Sequence, residues 1–443
     1  MPAPPSHPGI APGDVRSPLR KATVNAPTPP SGEIQAALTA NPIGRLFEKM
    51  GGATQVPFRV VFADGTEFRG GTADPAFTLR FLTRTAQWRI LRDGHMGFLE
   101  GYFDGDMDVE GDLALALRAG IDAGLDTRPR RLVRMRNAWL ERRRSNRTIE
   151  QARANARFHY GLGEPFYRLW LDLPSMMYTC AYWSEGTKTL EEAQRNKMDH
   201  VCRKVRLAAG ETFVDVGTGF GGLLFHAWER YGALGTGINT TPEQVAELRA
   251  AIARRNLGDR LSVVECDFRE IPGQYDKLLS IGTLEHAGRD QLPQVIRAHA
   301  DALKPGGLGV IHFIGHVGVR DTEYFIRKHV FPGGWIPSLS EAIDWMERCG
   351  LEVLDVENLR RHYALTLDCW FERFERNWPA IHALDPKRFD ERFRRVWRTY
   401  LVACAEMFRS RQGRTHLFQV TVSKGNVAAD YPMSRAFLYP PAT

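Results

Sequence analysis

Phe213-Val-Asp-Val-Gly-Thr-Gly-Phe-Gly-Gly222 decides how this chain is read. Residues rich in β-formers run into a glycine cluster, and a helix-like run from Leu223 to Tyr231 follows at once. Strand, tight turn and helix in that order open a nucleotide-binding βαβ unit. Gly217, Gly219 and Gly221 let the backbone turn sharply and let a ligand come close, because they carry no Cβ. A plain turn would use the same residues. A dinucleotide site would want an acid about 20 residues further on, for the ribose. The second strand, Leu234-Gly-Thr-Gly-Ile238, ends instead at Asn239. No Gly-Lys-Ser/Thr triplet follows the loop, which disfavours a phosphate-binding P-loop.

The alternation continues outward from this loop. Periodicity predicts a helix over 190–207, a strand over 212–216, a helix over 221–231, a strand over 234–238 and a helix over 242–255. Strands over 261–266 and 277–281, a helix over 290–303 and a strand over 308–314 follow. Such alternation argues for a parallel sheet with helices on both faces, whose ligands bind beyond the carboxyl ends of the strands. That rule gathers Gly217, Asn239, Asp267, Glu285 and His312 around one crevice. Asp267 there reads either as an acceptor for an adenine amino group or as an ordinary loop acid. The last third is expected to be helical over 339–349, 363–378 and 388–411, with a closing strand over 416–423. Its aromatic residues recur at helical spacing, which suits core packing and equally an apolar slot for an acyl chain.

Residues 1–33 hold nine prolines and almost no hydrophobic periodicity, so they are expected to be disordered. Residues 34–125 read as a small α+β domain. A helix lies near 34–50, a hairpin around Ala63-Asp-Gly65, a strand over 77–84, and helices over 85–92 and 113–123. Asp104, Asp106, Asp108 and Glu110 read as a solvated acidic turn, since the further ligands of a calcium loop are missing. Residues 126–157 form an Arg-rich linker helix, with eleven arginines and two acids between 128 and 157. This helix lies on an anionic membrane or is an exposed interdomain helix; nucleic acid ranks last, because no nucleic-acid motif accompanies the charge. Residues 158–424 make the main domain, and 425–443 a C-terminal tail.

The whole chain has 443 residues, 59 Lys plus Arg against 52 acids, and a net charge of +7, a modest bias toward anionic partners. No apolar run is long enough to span a bilayer, and the N-terminus lacks a signal-peptide core. The six cysteines are scattered and suggest neither a metal site nor a redox pair, which fits a reducing cytoplasm.

Asp215-Val-Gly217-Thr-Gly219 after a strand resembles the first motif of S-adenosylmethionine-dependent methyltransferases. Met177-Tyr-Thr-Cys-Ala-Tyr-Trp183, Ser280-Ile-Gly-Thr-Leu-Glu-His286, Val310-Ile-His-Phe-Ile-Gly315 and Phe331-Pro-Gly-Gly334 occur around it. With Arg361-His-Tyr363 and Tyr400-Leu-Val-Ala-Cys-Ala405, they resemble the cyclopropane fatty acyl phospholipid synthases and the mycolic acid cyclopropane synthases. The likeness covers roughly residues 158–424. It implies an α/β, Rossmann-like class I methyltransferase fold with helical additions for lipid.

The activity implied is transfer of a methylene from S-adenosylmethionine to a cis double bond in the acyl chain of an unsaturated phospholipid, with a bound bicarbonate as base. By matching motifs, Cys180, Glu285, His312, Tyr363 and Cys404 would cage the bicarbonate. Tyr178, Thr179, Asp215, Gly217, Gly219, Gly221, Asn239, Thr240, Gln244, Asp267 and Phe268 would surround S-adenosylmethionine. His286 and His316 carry no role in this scheme. The implied setting is the cytoplasm, with peripheral attachment to the inner membrane face; a homodimer is compatible. Four positions depart from the family. Thr218 and Phe220 replace Cys and Trp in the glycine loop, Gly161 stands where aspartate is usual, and Asn239 replaces threonine. These leave room for a fatty acyl C-methyltransferase that gives a methyl-branched or methylene product instead of a ring.

Overall fold

The computed structural model describes residues 42–125 and 131–439. The expected disorder of 1–33 therefore falls outside the described residues, as do 126–130 of the basic segment and 440–443 of the tail. Among the described residues no helix is long and apolar enough to cross a membrane.

Residues 42–122 build a four-stranded sheet from β1 (Phe58–Val61), β2 (Glu67–Gly70), β3 (Phe77–Phe81) and β4 (Met107–Gly111), in the order β2-β1-β3-β4. The hairpin around Ala63-Asp-Gly65 pairs β1 and β2 antiparallel. Phenylalanines at alternate strand positions point to one face. There Phe58 stacks on Phe77 at 5.4 Å and Phe62 on Phe81 at 5.8 Å, under the helix Pro42–Ala53. The acidic turn is corrected in part. Asp108 and Glu110 lie in β4, which pairs antiparallel with β3, while Asp104 and Asp106 clasp Arg89 at 2.8 and 3.1 Å. A strand so rich in acid has too few apolar residues to announce itself by alternation.

The larger sheet has seven strands. In addition to β5 (Thr212–Val216), β6 (Leu234–Asn239), β7 (Leu261–Glu265), β8 (Tyr275–Ile281) and β9 (Leu303–His316), it holds β10 (Leu351–Asn358) and β11 (Thr415–Lys424). Their order is β10-β11-β9-β8-β5-β6-β7. β5, β6, β7, β8 and β9 run parallel, and β11 is antiparallel to both β9 and β10. β5 and β8, in the middle of the sheet, are buried on both faces over most of their length, which explains their apolar runs. β10 was not anticipated. It is an edge strand, Leu-Glu-Val-Leu-Asp-Val-Glu-Asn, and its charges suit an edge while hiding it from a search for apolar runs. The helix expected over 363–378 begins at Arg360 and stops at Arg376. A separate helix, Trp378–Leu384, starts there because Pro379 cannot continue the first one's hydrogen bonds.

The two sheets are bridged by the long helix Glu391–Arg409. Arg118 donates to buried Glu406 at 2.6 Å, and Arg395 donates to the carbonyl of Tyr102 at 2.8 Å. Phe103 packs on Phe325 at 5.7 Å, so the apolar core runs on from the small sheet into the helical layer above β5 and β9.

Candidate active site

The carboxyl ends of β5 to β9 open into a cavity of about 290 Å³. On one side it is lined by Asp215, Gly217 and Gly219 from the β5 turn, and by Asn239, Thr240 and Gln244 beyond β6. Asp267 and Phe268 follow β7, and Tyr178 and Thr179 come from the loop before the helix Leu190–Lys204. Gly219 has φ 55°, and a Cβ there would meet nothing closer than 4.0 Å, so this is where a ligand can approach the backbone. Gly221 does not line the cavity. Its φ is 84° and a Cβ would stand 2.4 Å from Leu248, so it serves the turn into the helix.

The polar groups of this side are tied to one another. Thr218 donates to Asp215 at 2.8 Å, and burial lifts the Asp215 carboxyl to about 6. Asn239 accepts from the Thr241 N–H at 2.9 Å and donates to Gln244 at 3.0 Å, which stiffens the β6 end. Asp267 takes Arg269 Nε at 2.6 Å on one oxygen and Nη2 at 2.8 Å on the other. Oδ1 also accepts the Arg269 N–H, so Oδ2 keeps the more open acceptor capacity. Thr179 is held from below by fully buried Lys197, whose Nζ donates to its hydroxyl at 2.9 Å. Burial pulls that lysine down to about 8, against the pull of Asp172 and Cys180.

The other side of the cavity is aromatic, with Tyr160, Phe331, Tyr363, Tyr400 and Phe408 in its wall. Glu285 sits among them on a short 3₁₀ turn after β8. Its Oε1 accepts the backbone N–H of Ile314 at 2.6 Å, while Oε2 is buried without a partner. Burial raises this carboxyl to about 7. Tyr363 is pushed well above the usual phenol range by burial and by neighbouring Tyr400, Cys180, Glu285 and Cys404. Four of the five expected caging residues thus share one neighbourhood. Tyr363, Glu285 and Cys404 line the cavity, and Cys180 lies just behind, its Sγ donating to the carbonyl of Ala181 at 3.2 Å.

His312 is the fifth, and it is set apart from the cavity lining. On β9 it faces Gln419 of β11, whose amide donates to Nδ1 at 3.0 Å. Nδ1 then accepts, so Nε2 carries the proton, and it is buried without a partner. Burial, with Lys197 and Lys204 nearby, holds the ring neutral. His312 and Ile314 are two residues apart and so share one face of β9.

A second polar chain was not foreseen. His159 Nδ1 lies 3.0 Å from the carbonyl of Val330, His159 Nε2 lies 3.0 Å from Tyr178 Oη, and Tyr178 Oη lies 3.0 Å from Tyr400 Oη. A carbonyl only accepts, so Nδ1 donates and Nε2 accepts from Tyr178. Tyr400 must then donate to Tyr178, which leaves lone pairs as the remaining capacity of its oxygen. Burial keeps His159 neutral, down to about 3. His286 and His316, read as ordinary, both line the cavity. His286 Nε2 is 3.0 Å from Tyr160 Oη, and His316 Nε2 is buried and unpartnered. Tyr178 and Tyr400 stood inside quoted motifs, but no spacing rule pairs residues 222 positions apart.

Comparison with known proteins settles the family. The sequence model of a family described as mycolic acid cyclopropane synthetase matches residues 147–420. The chain belongs to that family. A domain of unknown function matches residues 46–121. A probable fatty acid methyltransferase from Pseudomonas putida is 34% identical over 394 residues, 87% of this chain and 96% of its own. A cyclopropane-fatty-acyl-phospholipid synthase from Escherichia coli (strain K12) is 31% identical over 341 residues, 76% of this chain and 85% of its own. Among solved structures, mycolic acid cyclopropane synthase CmaA1 complexed with SAH and CTAB is similar, with 30% identity and a TM-score of 0.57. That match covers 61% of this chain and 98% of CmaA1. As a member of the cyclopropane synthetase family, the protein is an S-adenosylmethionine-dependent methyltransferase with the class I fold.

Proposed function

We propose that this protein adds one carbon from S-adenosylmethionine to a cis double bond in the acyl chain of a phospholipid and closes it to a cyclopropane. Glu285 carries the reading. It is a buried carboxyl, fixed at one oxygen and free at the other, in an aromatic slot that adjoins the glycine loop. S-adenosylmethionine, when bound, supplies an electrophilic methyl group. Tyr178, Thr179, Asp215, Gly217, Gly219, Asn239, Thr240, Gln244, Asp267 and Phe268 would hold it, and the room over Gly219 suits its approach.

On the acyl side, Tyr160, Phe331, Tyr363 and Phe408 would exclude water, and aromatic rings there would attract positive charge developing on the chain. Product formation then requires loss of one proton. Glu285 Oε2 is an unpartnered acceptor, and His312 Nε2 an unpartnered donor. A bicarbonate carries one proton and several lone pairs, so the cavity wall fits it with Glu285 Oε2 as acceptor and the Tyr363 hydroxyl as donor. Glu285, Tyr363 and Cys404 in the wall would hold it, backed by Cys180 and His312 outside the lining, and it would supply a base in an otherwise apolar site.

A second reading rests on the probable fatty acid methyltransferase, which is similar over 87% of this chain. In that reading the same methyl addition ends in loss of a different proton, giving a methylene or an unsaturated methyl-branched chain. The test uses purified protein, S-adenosylmethionine and vesicles of phospholipid with one cis double bond per chain. An acyl product heavier by one CH₂ with high-field cyclopropane proton resonances is expected. The same mass gain with olefinic signals would favour the second reading, and no mass gain would overturn both.

A further inference from the structure

The helix Arg131–Arg144 carries a buried inward stripe and an exposed apolar outward one. The inward one, Val133, Asn137 and Leu140, is buried. Asn137 donates to the Thr322 carbonyl at 2.8 Å and accepts from Arg327 at 3.0 Å. The outward stripe is Leu132, Met135 and Trp139, spaced three and four residues apart and therefore on one face. These side chains are 39%, 60% and 55% exposed. Arginines flank them, and Arg143 lies 5.1 Å over the Trp139 ring. Among the described residues Arg131, Arg134, Arg142 and Arg143 have no carboxylate partner, although most arginines elsewhere in the fold do.

An exposed tryptophan and two aliphatic side chains ringed by unpaired cations match the interface of an anionic bilayer, where the ring sits among headgroups and the guanidinium groups meet phosphates. The placement adds to this. The segment gripped by the inward stripe contributes Thr322, Glu323 and Ile326 to the cavity wall. We propose that the Leu132–Met135–Trp139 face docks on an anionic phospholipid bilayer and brings that end of the cavity to the membrane from which the acyl chain is drawn. The inference rests on the lipid substrate proposed above.

Sedimentation of the full chain with vesicles tests it. Binding is expected to rise steeply with phosphatidylglycerol content and to fall with salt. Trp139→Glu should weaken binding on the order of tenfold, and Arg142→Gln with Arg143→Gln should do the same on anionic vesicles only. Trp139→Glu should leave methyl transfer to detergent-dispersed lipid unchanged, which separates a docking defect from a folding one. Brominated lipids should quench wild type more than Trp139→Phe, the difference being the ring at the interface. Equal quenching of the two proteins, or vesicle binding untouched by Trp139→Glu, overturns the docking face while leaving the methyl-transfer reading intact. A change from dimer to monomer in Trp139→Glu, with vesicle binding unaltered, assigns the face to a second copy and also overturns it. Docking through Trp139 without any methyl transfer to lipid would overturn the enzymatic reading instead.

Discussion

Ile314 donates its backbone N–H to Glu285 Oε1 at 2.6 Å, across the gap between β9 and the turn after β8. One carboxylate oxygen is thereby anchored, and the other faces the aromatic slot alone.

The consequence for pH follows from the raised carboxyl. Its folded value is about 7 against an ordinary 4.5, so the folded protein holds this proton more tightly than the unfolded chain. Stability from Glu285 is full below about 4.5 and is lost as pH rises through about 7, a change of about 3 kcal/mol. Glu285→Gln should abolish that slope. Urea unfolding of both proteins from pH 5 to 8 measures it, and parallel curves would contradict the assignment. The same variant should lose about 10² to 10⁴ in the rate of product formation, the range expected when a catalytic base loses the group that orients it.

The polarity of the His159–Tyr178–Tyr400 chain makes two tyrosines unequal. Tyr178→Phe strands both the His159 acceptor and the Tyr400 hydroxyl, and should cost about 2–4 kcal/mol. Tyr400→Phe removes only one donor to Tyr178 and should cost about 1 kcal/mol. Denaturant midpoints of the two variants test the order; a larger loss for Tyr400→Phe would reverse the inferred direction.

Two glycines of one loop should fail differently. A Cβ at Gly221 meets Leu248 at 2.4 Å on a backbone with φ 84°, so Gly221→Ala should lower stability by about 2 kcal/mol or more. At Gly219 the added methyl meets nothing closer than 4.0 Å, so Gly219→Ala should cost only the strain of its positive φ, about 1 kcal/mol, and weaken S-adenosylmethionine binding by about tenfold. Thermal melts and calorimetric titration separate the two effects.

Between the sheets, Glu406 is 2% exposed and pairs with Arg118 from the small unit. Glu406→Gln keeps the volume and removes the charge. It should cost about 1–3 kcal/mol, because Arg118 is partly exposed and recovers some hydration. Unfolding monitored by tryptophan fluorescence reports it.

The sequence alone determined the parallel sheet, the glycine turn and the strand ends around the crevice. These depend on local period and on backbone freedom, which neighbouring residues encode. The matched motifs also named Glu285, Tyr363 and Cys404, which the fold brings to one wall. Only the tertiary structure decided the rest. β10 and β4 are edge or acid-rich strands whose pairing comes from partners far along the chain. It also set His312 against Gln419 rather than in the cavity lining, and turned His286 and His316 toward the cavity. Which stripe of the Arg131–Arg144 helix faces outward was settled by Asn137, buried against Thr322 and Arg327. A sequence records which side chains can hydrogen-bond, but the pairing of His159, Tyr178 and Tyr400 exists only once packing has excluded water and left each group one partner.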